Sequence, residues 1–445
     1  MVGGKQSMLF VSRLIACGGC IMLNFNQIEA DLLKVSKQSD ILDFLRYSGY
    51  IFQQEHFWDI ERKNILIVRL DSIGDQIIHS GFIREIKRNF PESEITLIVS
   101  PIVYPVVENC PYVKDIYVFD KDKPTTNFSE LIVDVLSFCK SNLWDKQFGF
   151  AFSTRWAEDT IPELFLCYLS GAKERIGYGI FPYFSWIEMH SNPVRQALDS
   201  VLLTRNLITS RDIITDAERN FYVLSGSGFN VLQNHVELWY SEQDRIWATE
   251  TLSVLPMYCK RVVIGLGGSK NAKKYPAHSY LTVLSDLLNE DYCFILVGAK
   301  NEIEDADFLV KNLPTSRVLN LVDKTTIPQV EAVISQCDYY IGNDTSHVHM
   351  AAANHIPCVV MYCEPSDKLS VCPPIFSGYS RFTPYQTHYK ALLPEHALSP
   401  CSERRPIHCW CHADKPHCIT QISPVEVIDN FKELVRDCNV KTNKK

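Results

Sequence analysis

The stretch Ile341–Pro357, IGNDTSHVHMAAANHIP, decides how this chain is read. An apolar run broken by an acid, Val330–Tyr340 (VEAVISQCDYY), leads into it, and Cys358–Tyr362 (CVVMY) follows it as a buried strand. Between them stand a Gly-Asn-Asp turn, the hydroxyls of Thr345 and Ser346, and a small-residue helix expected over His349–Asn354. Strand, turn and helix start in succession make a seat for an anion, because the first turn of a helix carries unpaired N–H groups and the positive end of its dipole. Asp344 reads as the N-cap, Ala351–Ala353 lets the helix pack closely, and Pro357 closes the element. Taken alone, the same residues describe an ordinary helix cap in an α/β domain, so the neighbouring segments must decide.

Those segments repeat the pattern from near Val231 onward. Val262–Gly268 (VVIGLGG) is a strand ending in glycines, followed by Lys270, Lys273 and Lys274. Pro276 suits the first turn of a helix over His278–Asn289. Cys293–Ala299 (CFILVGA) is the next strand, with Glu302 just past its end; Val318–Leu321 is a short strand and Ile327–Gln336 a helix. Gly267, Gly268, Lys273, Glu302 and Asp344 are therefore expected at strand ends around one crevice. Glycines admit close backbone approach, a lysine neutralises phosphate, and a carboxylate accepts ribose hydroxyls, a set that suits a nucleoside diphosphate. No G-x-G-x-x-G and no G-K-[ST] loop is present, which argues against dehydrogenase and P-loop chemistry.

The first half has the same grammar from Lys63. Asn64–Leu70 (NILIVRL) is a continuous apolar strand of the parallel kind, running through Asp71-Ser72-Ile73-Gly74-Asp75 into a helix expected over Gln76–Asn89. Strands follow at Glu94–Ser100, Val113–Phe119 and Phe148–Phe152, with a helix at Leu131–Cys139. Strands alternating with helices mean α/β architecture with doubly wound parallel sheets, and such sheets bind ligands at the carboxyl ends of strands. Asp75 and the turn Ser153-Thr154-Arg155 lie at such ends, which makes Asp75 the candidate catalytic carboxylate of this half; its alternative is a helix cap.

Length and composition agree with two cores. A chain of 445 residues exceeds what one core holds, and 46% hydrophobic residues are ample for globular packing. The net charge of −8 argues against a nucleic-acid partner. Sixteen scattered cysteines in so large a chain read as buried thiols of a reducing compartment. No apolar run has transmembrane length. Met8–Phe25 is apolar but broken by Arg13 and Gly18-Gly19, and reads poorly as a signal peptide. Residues 28–57 look helical, and segment 1–60 is an extension with no assigned chemical role.

Several segments carry a resemblance in the same order along roughly residues 63–430. They are Asn64–Ser80 (NILIVRLDSIGDQIIHS), Trp144–Arg155 (WDKQFGFAFSTR), Leu169–Gly179 (LSGAKERIGYG), Ile264–Pro276 (IGLGGSKNAKKYP), Ile295–Ala306 (ILVGAKNEIEDA), the opening stretch, and Cys418–Ile428 (CITQISPVEVI). The chain resembles glycosyltransferase family 9, the bacterial ADP-heptose:lipopolysaccharide heptosyltransferases. The resemblance implies a GT-B fold: two Rossmann-like doubly wound domains facing a central cleft, acceptor on 61–230 and nucleotide-sugar on 231–430, followed by a polar tail, 431–445. It implies inverting transfer that needs no metal and no cofactor. Asp75 is then the general base; Lys273 and the N–H groups of Thr345 and Ser346 stabilise the leaving diphosphate; Asp344 lies near the donor sugar, Glu302 holds the ribose, and His349 matches the motif histidine. Gly74 and Arg155 are implied on the acceptor side, and Arg175 reads as a loop brace. His347 and His349 fall on different faces of the helix and are not a metal pair. Two departures touch the donor side: Ser346 replaces the usual glycine, and Cys363-Glu364 replaces a Gly-Pro turn.

The segment Cys401–Cys418 (CSERRPIHCWCHADKPHC) is separate from that pattern. Cys401, Cys409, Cys411 and Cys418, with His408, His412 and His417, form a candidate structural metal site, although Cys409 and Cys411 are awkwardly close for one ion. The resemblance thus implies a cytoplasmic enzyme moving a heptose from ADP-heptose to a lipopolysaccharide core saccharide. A lipid-linked acceptor would bring peripheral contact with the inner face of the inner membrane. The alternatives are another nucleotide-sugar, a protein acceptor, a non-catalytic nucleotide-sugar-binding protein, or an enzyme of the UDP-sugar epimerase shape.

Overall fold

The computed structural model describes residues 64–124, 128–156, 160–179, 199, 201–370, 374, 377–403, 411 and 413–442. Segment 1–60, its expected helix, and Cys409, His408 and His412 lie outside the described residues. In chain order β1 (Asn64–Arg69) leads into α1 (Ile73–Asn89), then β2 (Ile95–Val99), β3 (Asp115–Val118), α2 (Phe128–Asn142), β4 (Phe148–Ser153), α3 (Ile161–Leu169), β5 (Glu174–Gly177) and β6 (Arg205–Asn206). These strands form one six-stranded sheet in the order β3-β2-β1-β4-β5-β6. β1 pairs with β4, β4 with β5 and β5 with β6, all in parallel. Ile65 to Arg69 are all buried, the run expected of a parallel strand covered on both sides. Leu66 and Val68 pack with Ala151, with Ile132 and Val135 of α2, and with Phe165 and Leu166 of α3.

The rest of the chain is α4 (Asp216–Ser225), α5 (Glu242–Leu252), β7 (Lys260–Gly265), α6 (Ala277–Leu287), β8 (Tyr292–Val297), α7 (Ile303–Asn312), β9 (Val318–Asn320), α8 (Ile327–Ile334), β10 (Tyr339–Asn343), α9 (Ser346–Ala353), β11 (Cys358–Met361), β12 (Tyr389–Leu392) and α10 (Pro424–Thr442). Capping boxes start three helices: Thr215 with Glu218 for α4, Ser241 with Asp244 for α5, and Thr326 with Gln329 for α8. The second sheet is ordered β12-β11-β10-β7-β8-β9, with every pair parallel. The chain leaves β7 toward β8 and β9, then returns to β10 on the other side of β7. The strand order therefore reverses between β7 and β10, where an open α/β sheet has its ligand crevice. Both sheets have the topology of the GT-B class.

The chain forms two compact units that interleave in sequence. One holds the described residues up to Leu70, Glu92–Ile98 and Tyr117–Ile208; the other holds Asp71–Pro91, Val99–Ile116 and Thr209–Lys445. Helix α1 thus follows the first strand of one sheet but belongs to the other unit, where it packs on α4 and α9. Its attachments there are polar as well as apolar. Arg84 donates to the carbonyls of Gln233 and His235 and to Glu237. Asn220 donates to the Ile78 carbonyl at 3.2 Å.

Two helix starts differ from the sequence expectation. α1 begins at Ile73 rather than Gln76, because Ser72 takes the extended N-cap conformation and its carbonyl accepts the Gln76 N–H at 3.0 Å. α9 begins at Ser346 rather than His349, and its N-cap is Thr345, not Asp344. The Asp344 carboxylate is engaged elsewhere, by Lys273.

Candidate active site

The glycine turn after β7 and the end of β10 are stapled together by one side chain. Asn343, fully buried, donates from Nδ2 to the carbonyls of Leu266 and Gly267 at 3.0 and 2.9 Å. Its Oδ1 accepts from the Tyr275 N–H at 3.0 Å, and the Tyr280 hydroxyl donates to the Gly265 carbonyl at 3.0 Å. Gly265 is required here: a Cβ on it would lie 2.1 Å from the Tyr340 hydroxyl oxygen. Sequence reading missed Asn343, because its partners are more than sixty residues away and an asparagine after a glycine reads simply as a turn.

This staple sets out the arm that carries the lysines. Lys273 Nζ lies 2.7 Å from Asp344 Oδ2 across the switch point. Burial pulls the Lys273 pKa down, but the Asp344 charge and hydrogen bond outweigh it and hold the ammonium above its ordinary range. Lys274 lies 2.7 Å from Glu302 Oε1, while Glu302 Oε2 accepts the Ala299 N–H at 2.8 Å. Gly267 faces the same carboxylate, with 3.5 Å between Glu302 Oε2 and the place of a Cβ on it. Lys270 is exposed and takes no part in this cluster. The structure therefore brings Gly267, Gly268, Lys273, Glu302 and Asp344 together at the ends of β7, β8 and β10. A carboxylate has about four acceptor sites, so Glu302 keeps capacity for hydroxyl donors beside its two present partners.

Thr345 and Ser346 open α9 at the same place, and the Thr345 side chain makes no capping hydrogen bond. His349, on this helix, is buried, and burial holds its pKa below the ordinary imidazole value. Its Nδ1 has no hydrogen-bond partner among the described residues. His347 is pushed down to about 4 by burial, so both rings are neutral at neutral pH. The α1 start meets α9 at this point. A Cβ on Gly74 would lie 3.1 Å from His349 Cδ2 and 3.6 Å from Ser346 Cα, so glycine permits the approach. Asp75, the next residue, stands in the first turn of α1 and accepts a hydrogen bond from the Ser72 hydroxyl. The candidate base and the candidate donor residues thus belong to one unit.

Arg155 lies in the other unit, buried and paired with the buried Glu163 at 3.2 Å. Arg175 donates to the carbonyls of Ala172, Val201 and Leu202 and stacks on Tyr168, which is a loop brace. Glu364, one of the two departures, is also structural: its carboxylate accepts from Ser377 Oγ and from the N–H groups of Gly378 and Tyr379 at 2.7–2.9 Å.

Among the described residues the Cys/His segment gathers four of its candidate ligand atoms. Cys401, Cys411, His417 and Cys418 place their donor atoms within 4.8 Å of one another; Cys409, His408 and His412 lie outside the described residues. Cys401 Sγ and Cys411 Sγ are 3.6 Å apart. His417 Nδ1 lies 3.8, 3.5 and 3.2 Å from the sulfurs of Cys401, Cys411 and Cys418. Around a tetrahedral zinc-like ion, bond lengths of about 2.0–2.3 Å give edges of about 3.5–3.8 Å, so this set fits such an ion. His417 Nε2 meets the Ser399 carbonyl at 3.0 Å, the outer contact that leaves Nδ1 free to ligate. A hydrogen bond from Cys418 holds the Cys411 thiol below its ordinary range.

Comparison with known proteins bears on the family and the fold. Residues 209–403 match the model of glycosyltransferase family 9 (heptosyltransferase), a span within the second unit. Lipopolysaccharide heptosyltransferase 3 of Escherichia coli K12 is 20% identical over 294 residues, 65% of this chain and 79% of that protein. The solved glycosyltransferase family 9 structure from Veillonella parvula DSM 2008 superposes with a TM-score of 0.65 at 18% identity, over 85% of this chain and 99% of that one. Escherichia coli heptosyltransferase WaaC with ADP superposes with a TM-score of 0.57 at 14% identity, over 83% of this chain and 99% of that one. At these identities the two structural likenesses speak for the fold.

Proposed function

We propose that the chain, whose residues 209–403 match glycosyltransferase family 9 (heptosyltransferase), is a heptosyltransferase-like enzyme of that family that moves a heptose from ADP-heptose to a lipopolysaccharide core saccharide, with inversion and without a catalytic metal. The observation that carries this reading is the set Lys273, Asp344, Glu302 and Gly267 at the switch point of the second sheet, beside the first turn of α9.

The steps follow from these side chains. Asp75 takes the proton from the acceptor hydroxyl as that oxygen attacks the anomeric carbon, a general-base contribution of about 10²–10⁴-fold. The bond to the diphosphate oxygen breaks, and the charge left there is met by Lys273 and the N–H groups of Thr345 and Ser346. The incoming diphosphate competes with Asp344 for the Lys273 ammonium, which turns Asp344 toward the donor sugar. Glu302 accepts the ribose hydroxyls, Gly267 and Gly268 admit the nucleotide backbone, and His349 holds the α9 turn against Gly74. We assign residues 61–230, with Gly74 and Arg155, to the acceptor and 231–430 to the donor. On this reading the enzyme works in the cytoplasm, in peripheral contact with the inner face of the inner membrane through a lipid-linked acceptor. The Cys401, Cys411, His417 and Cys418 set holds a structural metal that takes no part in these bond changes. Among the described residues no helix is long and apolar enough to cross a membrane.

The test is thermal stability with ADP, UDP, GDP and ADP-heptose in turn, since a ligand of the native state raises its melting temperature. It is followed by transfer assays on truncated core saccharides with and without added Mg²⁺ or Mn²⁺. Stabilisation by ADP and ADP-heptose, with transfer indifferent to added cation, supports the reading. Stabilisation by UDP alone would replace the donor, and an absolute cation requirement would remove the metal-independent mechanism.

A further inference from the structure

We propose that the metal site formed by Cys401, Cys411, His417 and Cys418 positions Lys273, so that loading it with zinc(II) or iron(II) raises the affinity for a nucleoside diphosphate. The proposal rests on the donor and metal readings above and adds a coupling between the two sites.

Three contacts join the sites. The turn Asn271–Lys273 packs directly on the turn Cys418–Gln421, so a metal-ligating residue and the phosphate lysine lie in touching segments. The buried Tyr275, two residues past Lys273, donates its hydroxyl to the Ile422 carbonyl at 2.9 Å, while its N–H is held by Asn343. On the other side, the backbone N–H of Cys411 donates to the sulfur of Cys363, which lies within electrostatic reach of Lys273. Cys363, Cys401, Cys411, Cys418, Ile419 and Tyr275 share one apolar core.

The described part of the segment that carries the ligands packs into that core without a long helix or strand. Between Cys401 and the start of α10 the described residues form only short 3-10 turns. Cross-linking four ligand atoms by an ion supplies the order that regular structure does not, because metal binding at such a site is folding free energy. With the ion removed, the clustered sulfurs lose their common partner and the turn 418–422 loosens. Tyr275 then loses its anchor, and the arm bearing Lys273 gains alternatives to the donor-binding position. The affinity falls by the fraction of molecules that leave that position.

The experiment uses the full chain. Metal content is measured by plasma emission, and the ADP dissociation constant by calorimetry, on protein as purified, after chelation under reducing conditions, and after return of zinc sulfate. About one ion per chain is expected, with ADP binding weakened about tenfold by chelation and restored by zinc, within the usual range of coupling between sites. Tyr275→Phe, which keeps every ligand, should retain the ion, bind ADP about 3–10-fold more weakly, and respond less than the wild type to chelation. An ion whose removal leaves ADP affinity within about twofold overturns the coupling while leaving the metal reading in place. Full ADP affinity in protein that never holds metal overturns the metal reading, and absence of ADP binding in every form overturns the donor reading; each ends the proposal.

Discussion

The ammonium of Lys273 lies 2.7 Å from a carboxylate oxygen of Asp344, and this pair bridges the two strands between which the second sheet reverses its order. Because Asp344 holds the lysine above its ordinary range against the effect of burial, Lys273 stays charged throughout the neutral pH range. Lys273→Ala should weaken ADP binding by about 10–100-fold, the scale of a hydrogen bond to a charged group. It should also lower the melting temperature, since Asp344 is left buried without this partner. Calorimetric titration decides the point: an unchanged ADP affinity removes Lys273 from the donor site.

Asp75 carries a different signature. It makes its hydrogen bond to Ser72 at the N-terminus of α1, where an acidic side chain favours the helix by about 0.3–1 kcal/mol. Asp75→Asn should therefore cost little stability and leave ADP affinity within about twofold, while lowering the transfer rate by about 10²–10⁴-fold. Parallel loss of rate, ADP affinity and melting temperature would make Asp75 a structural residue of the α1 start.

The strands were legible because a parallel strand buried on both sides is a contiguous apolar run, as in NILIVR and CFILV. The strand-end residues followed from that topology, and Lys273, Asp344 and Glu302 do meet. What stayed hidden was set by contacts between distant segments. Asp344 looks like a helix cap until Lys273, seventy-one residues earlier, takes its carboxylate and leaves the cap to Thr345. The Asp-Ser-Ile-Gly-Asp run looks like a turn, yet Gly74 is helical and its small size serves the approach of His349. Which of the three candidate histidines joins the sulfurs was not legible either, because the place of His417 depends on the Ser399 carbonyl and on three sulfurs of the segment, which no spacing rule encodes.

Asn343 tests how far the staple supports the site. Asn343→Ala removes the donors to Leu266 and Gly267 and the acceptor of the Tyr275 N–H, all in a buried position. Each buried group left unpaired costs about 1–3 kcal/mol. The variant should lose about 2–4 kcal/mol by urea unfolding and bind ADP more weakly than the wild type. A loss under about 0.5 kcal/mol, the scale of an ordinary surface change, would show that the glycine turn holds itself.

Glu331 offers a pH test away from the chemistry. It is fully buried on α8, and among the described residues neither carboxylate oxygen has a hydrogen-bond partner. Burial first, then the charges of Asp244 and Glu108, push its pKa well above the ordinary carboxylate value of 4.5. A carboxyl raised in the folded state favours folding below the unfolded value and loses that contribution as pH climbs toward the folded one. Glu331→Gln, neutral at every pH, should therefore be more stable than the wild type at pH 8. The gain should shrink as pH falls and vanish below the unfolded value near 4.5. Urea unfolding of both proteins from pH 4 to pH 8 checks it; a difference that does not change with pH would mean that Glu331 is charged in the folded protein and paired with a cation.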